Sequence, residues 1–144
     1  MKAISLWQPW ATLMALDLKK IETRSWPTSY RGPLAIASTK SIPVSDRADC
    51  EEAFQSFVLE YPEFEAAMTA QGVTKNSELP HGAVLCVRNL FVCHPAHKMR
   101  ISDQERDMGY YAEGRFGWCT RLVEVFPEPI PCKGAQGLWE WVRP

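Results

Sequence analysis

The run Lys19-Lys20-Ile21-Glu22-Thr23-Arg24-Ser25-Trp26 places four charged groups and an indole within eight residues. Read as a strand, its side chains alternate between two faces. Lys20, Glu22, Arg24 and Trp26 then share one face, and Ile21 and Thr23 take the other. Glu22 and Arg24 are neighbours on that face, and an arginine fork holds a carboxylate in a fixed orientation. A carboxylate so held can accept the exocyclic amine of a base or take a proton from water. Lys19, at the start of the strand, reaches the same space. A lysine beside other cations in a partly dry cleft loses some of its hold on its proton, and can serve as a base or nucleophile.

Upstream, residues 2–6 alternate as a short strand. Gln8-Pro9 opens a helix with Pro9 at its first position, and Trp10, Leu13 and Met14 form its buried stripe, down to about Asp17. Downstream, Pro27 to Gly32 is turn-like, and residues 33–39 form an apolar run suited to a central strand. Cys50, Ala53, Phe54, Phe57, Val58 and Tyr61 recur at helical spacing. Pro62 interrupts that pattern, Phe64, Ala67 and Met68 restart it, and Gly72 ends it. Residues 82–94 are a long apolar strand. Residues 102–108 form a short helix in which Ser102 caps and Glu105 completes a capping box. Residues 115–126 are another strand. Pro127, Pro129 and Pro131 predict an extended linker, and Leu138–Val142 a closing strand. Strands and helices do not alternate regularly, which disfavours a doubly wound sheet. The expected fold class is α+β, a small, partly closed β-barrel with helices packed on it.

Several blocks of this chain together resemble the ASCH domain family, part of the PUA-like superfamily of small barrels. The family pattern Gly-x-Lys-x-x-Glu-x-Arg is met by Lys19, Glu22 and Arg24, with Asp17 in the glycine position. Gln8-Pro9-Trp10-Ala11, Ser25-Trp26-Pro27-Thr28, Tyr30-Arg31-Gly32, Ile36 to Lys40, Gly114 to Trp118 and Gly134 to Trp141 also look like family sequence. The resemblance implies one PUA-like domain over residues 1–144, with an acidic helical insert at about 44–71. It implies a cleft holding Lys19, Glu22 and Arg24 as candidate catalytic groups. Gln8, Trp26, Tyr30, Arg31, Ser38 and Lys40 are the candidate nucleobase or nucleic-acid contacts. Superfamily relatives bind RNA, so RNA or a modified nucleoside is the expected partner. Some small members remove acyl groups from N4-acylated cytidine, and a ribonuclease has been proposed in the family. The hydrolase relatives use the motif lysine, a threonine where Glu22 stands here, and a glutamate later in the chain. Recognition of RNA or a nucleoside is thus the leading function, an amidohydrolase the alternative and a ribonuclease the third.

Composition sets the outer bounds. The chain has 144 residues and a net charge of −1, which excludes a uniformly basic protein that coats duplex DNA. The balance conceals an asymmetry. Residues 1–47 carry seven basic and three acidic side chains, residues 48–79 one and seven, and residues 80–144 eight and seven. The positive first third holds the charged motif with Trp7, Trp10, Trp26 and Tyr30, and basic groups interleaved with rings suit single-stranded nucleic acid. The acidic helices present a solvated face, open to a protein partner. Five scattered cysteines suit a reducing compartment, and with no leader-like or membrane-spanning run the expected location is cytoplasmic. Cys86, Cys93, His94 and His97 lack metal-site spacing, so neither metal nor cofactor is expected. Of the six tryptophans, Trp10, Trp139 and Trp141 are assigned mainly to packing and Trp26 to the charged face, while Trp7 and Trp118 stay unassigned.

Overall fold

A computed structural model describes all 144 residues. The strands are β1 (Lys2–Leu6), β2 (Ile21–Arg24), β3 (Gly32–Ser38), β4 (Ala83–Pro95), β5 (Phe116–Pro131) and β6 (Trp139–Glu140). The α-helices are α1 (Trp10–Ala15), α2 (Val44–Glu60), α3 (Pro62–Gln71) and α4 (Asp103–Asp107). None of them is long and apolar enough to cross a membrane. The strands form one mixed sheet in the order β2-β5-β4-β3-β1-β6, in which only β1 and β3 run parallel. The sheet curls. β2 begins the order and β1 lies near its far end, yet the Arg24 guanidinium donates to the Ser5 carbonyl of β1 at 3.0 Å. The result is a half-barrel carrying helices, consistent with the expected PUA-like α+β class.

Inside the curl, Ile4, Leu34, Ile36, Leu90, Met14 and Trp118 form one apolar cluster. Trp118 is the largest fully buried side chain and meets Trp26 edge-on, with ring centroids 4.8 Å apart. A second cluster joins Val84, Val87, Phe126 and Trp141 beneath β6. A third clips α2 and α3 to α1 through Leu13, Phe54, Phe57, Phe64 and Met68. Each side chain so buried stabilises the fold by roughly 1.5–3 kcal/mol. The helical stripe anticipated between residues 44 and 71 therefore exists. Glu52, Glu60, Glu63 and Glu65 face solvent on its outer side.

Four local expectations need correction. Pro127, Pro129 and Pro131 lie within β5 rather than in a linker. Cys132 N donates to Gly82 O, so the nitrogen of Pro131, one residue back, points to the open edge of the sheet. A proline at that position removes no donor from the ladder, and Pro127 and Pro129 fall where the register between β4 and β5 shifts. Second, Ser102 caps α4 by accepting from Glu105 N, but the Glu105 carboxylate does not return to close the box. It accepts instead from Lys20 N (2.8 Å) and Ile21 N (3.2 Å). Third, β2 stops at Arg24, because the chain leaves the sheet where the Trp26 carbonyl accepts from the Trp118 indole. Finally, the closing strand pairs with β1 over only two residues.

Asp17 explains how the turn works without the family glycine. Its φ is +60°, a left-handed conformation that aspartate tolerates better than most side chains. Its carboxylate lies 2.9 Å from Arg88, which is fully buried and also donates to the Met14 carbonyl. That pair ties the helix-to-strand turn to β4 and fixes where Lys19 begins.

Candidate functional site

β2 lays the floor. Lys19 is buried, and its ammonium donates to the carbonyls of Ile21 (2.7 Å) and Met108 (2.8 Å). It stands 3.7 Å from Glu22 Oε1. Burial lowers the Lys19 pKa, opposed by the negative charges of Glu22 and Glu105. Glu22 Oε2 lies 3.1 Å from Arg24, and Oε1 accepts from Thr23 N. Lys19, Glu22 and Arg24 thus form a chain of alternating charges. One Arg24 nitrogen is anchored on Ser5 O, while its Nε is buried with no partner.

These three residues converge on an open cavity of about 720 Å³. Trp7 and Trp10 reach it from the start of α1, and Trp26 from the end of β2. Met108 and Tyr110, after α4, and Arg115, before β5, complete the wall. Arg115 donates to Thr23 O at 3.0 Å and lies 5.1 Å from the Tyr110 ring centroid. Thr23, expected on the opposite face, is buried, borders this cavity and accepts from Tyr110 N through its hydroxyl. Residue 23 therefore holds the wall in place. The wall also has support from outside, since Tyr61 donates to Asp107 at 2.7 Å and couples the end of α2 to the segment that carries Tyr110.

The other anticipated contacts are dispersed. Gln8 is fully buried, and its amide is spent on Thr12 N and Pro80 O. Ser38 is buried and bridges to Ala83. Tyr30 and Arg31 bond within their own turn, to Pro33 O and to Thr28 O and Tyr30 O, and line neither this cavity nor the next. Lys40 lines an adjoining cavity that shares Ser5, Trp7 and Arg24 with the first. The rings at the site are Trp7, Trp10, Trp26 and Tyr110, not Trp26 alone. Arg115 lies in the Gly114–Trp118 block that had marked the family resemblance, so a signal for it existed. Tyr110 had none, because it meets Thr23 across 87 residues.

Comparisons with known proteins identify the family. The family model "ASCH domain" matches residues 4–125. Activating signal cointegrator 1 from Mus musculus and from Homo sapiens are each 25% identical to this chain over 141 residues. The match covers 95% of this chain but only 22% of theirs. The matched segment runs from β1 into β5 and contains every residue that lines the cavity, so the chain belongs to the ASCH domain family.

Proposed function

We propose that the cavity over β2 binds a nucleobase of RNA or of a modified nucleoside. The observation that carries this reading is the convergence of Lys19, Glu22 and Arg24 on one open cavity walled by three indoles and a phenol. Flat rings stack on any base, with each stacked base contributing about 1–3 kcal/mol. The Glu22 carboxylate offers an acceptor for an exocyclic amine, and Arg24 and Arg115 offer donors. The test titrates a short single-stranded RNA while following tryptophan fluorescence. Trp26→Ala should weaken binding by about tenfold, within the range of one lost stacking contact, and Arg24→Ala by about as much through the loss of a charged donor. Variants that keep their thermal midpoint and still bind like the wild type overturn the assignment.

A second reading, the amidohydrolase, is supported by the lowered pKa of the buried Lys19 beside Glu22. There Lys19 would activate water or attack the acyl carbon, and Glu22 would handle the proton. Binding ranks above it because two carbonyls and a carboxylate already surround the Lys19 ammonium. A lysine so placed orients Glu22 while charged, and deprotonation would leave acceptors unmatched. Release of cytidine from N4-acetylcytidine, abolished in Lys19→Met, would reverse that ranking.

A further inference from the structure

Beside the base cavity lies a second one, of about 1160 Å³, and the two share Ser5, Trp7 and Arg24. We propose that this second cavity is a phosphodiester track, so that the ligand is a single-stranded RNA rather than a free nucleoside. The inference rests on the first cavity being the base site, and it names the class of ligand that fills both.

The lining is one-sided in charge. Lys40 and Lys133 stand in it with Arg24, and none of its fifteen residues is acidic, although the chain holds 17 acidic residues. Both lysines are exposed, and neither enters an ion pair or hydrogen bond of its own. Two buried donors are also unused, one a neutral hydroxyl and one a guanidinium nitrogen. Thr39 Oγ1 and Arg24 Nε are buried without partners, and both residues line this cavity. Burying a polar group without a partner is costly, so such atoms mark where a ligand's acceptors belong. The loop Lys133–Gly137 adds backbone donors, since its amides make no hydrogen bond within the chain. Gly134 packs so closely on Ser5 that a Cβ there would fall 2.9 Å from the Ser5 hydroxyl, which holds the loop against the wall common to both cavities. Point charges, an unpartnered hydroxyl and free amides are the donor set that phosphate oxygens accept from. A nucleoside has no phosphate to place there. A strand whose base sits among Trp7, Trp10 and Trp26 must continue past Trp7 and Arg24, and the basic cavity is where that path leads.

The experiment measures binding of a fluorescein-labelled, mixed-sequence RNA octamer across a salt series, with N4-acetylcytidine as the phosphate-free competitor. Wild type and Lys40→Ala/Lys133→Ala are compared, and equal thermal midpoints certify the fold. Each neutralised phosphate of a single strand contributes about 0.7 to the slope of log K against log salt. The double variant should lose about 1.4 from that slope and bind roughly tenfold or more weaker at 0.1 M salt. A double variant with wild-type slope and affinity overturns the track while leaving the base site standing, provided Trp26→Ala still weakens binding. N4-acetylcytidine binding as tightly as the octamer also overturns it. Wild-type protein that binds no octamer overturns the base-site reading, and the track with it.

Discussion

Lys19 is a charge kept out of water by its own fold. Its burial lowers its pKa relative to the unfolded chain, where a lysine titrates near 10.4. Between the lowered folded value and that unfolded value, the unfolded state binds more protons than the folded one. Stability must therefore rise with pH through this window. Lys19→Met removes the titration and with it that upward slope. Urea denaturation of both proteins at pH 7, 8.5 and 10 should show wild type gaining on the variant as pH rises. A gap that stays constant or shrinks would mean that Glu22 and the two carbonyls outweigh burial. At this same scale the sequence revealed the chemistry of a site better than its membership. Lys19, Glu22 and Arg24 were legible because they lie within six residues, the last two on β2 and the first just before it. Gln8 and Ser38 were singled out within blocks that resemble the family, and their partners in the fold, Pro80 and Ala83, are 72 and 45 residues away. Hydrogen bonds across such separations leave no pattern in the sequence.

Among the elements, those with an apolar period were legible and those defined by hydrogen bonding were not. α2 and α3 follow from the spacing of Phe54, Phe57, Phe64 and Met68, whose burial depends on pattern alone. β5 was cut short at its prolines, because only the pairing partner β4 reveals that Pro131 faces the open edge. α4 was found, but its use was not. Glu105 fastens the start of β2, and so determines where Lys19 and Glu22 stand, without lining their cavity. Glu105→Ala should strand the amides of Lys20 and Ile21, costing about 1–3 kcal/mol for an unsatisfied donor. RNA affinity should fall with it, although the residue cannot touch the RNA. Glu105→Gln keeps one acceptor oxygen and should restore part of both losses. Thermal denaturation and RNA titration of the two variants check this. Full RNA affinity in a destabilised Glu105→Ala protein would show that β2 holds its own geometry.

For the whole molecule, charge is distributed by region, and the region that carries the cleft has the opposite sign to α2 and α3. Residues 48–79 hold seven acidic side chains and one basic one, and Glu63 and Glu65 stand exposed on α3. α3 begins next to Tyr61, which bonds Asp107 at the edge of the cavity wall, so this negative surface borders the site. A polyanion approaching the cleft should be repelled from that side and steered toward Lys40 and Lys133. Fields of this kind act over roughly the Debye length, about 10 Å at 0.1 M salt and about 3 Å at 1 M. Replacing Glu63 and Glu65 with lysine would move the net charge from −1 to +3, two charges per substitution. The association rate for single-stranded RNA should then rise severalfold at low salt and return to the wild-type value near 1 M, with little change in dissociation. Stopped-flow fluorescence at both salt concentrations measures each rate. A rise that persists at 1 M salt would place the new lysines in direct contact with RNA, and would end the assignment of α3 as a repelling border.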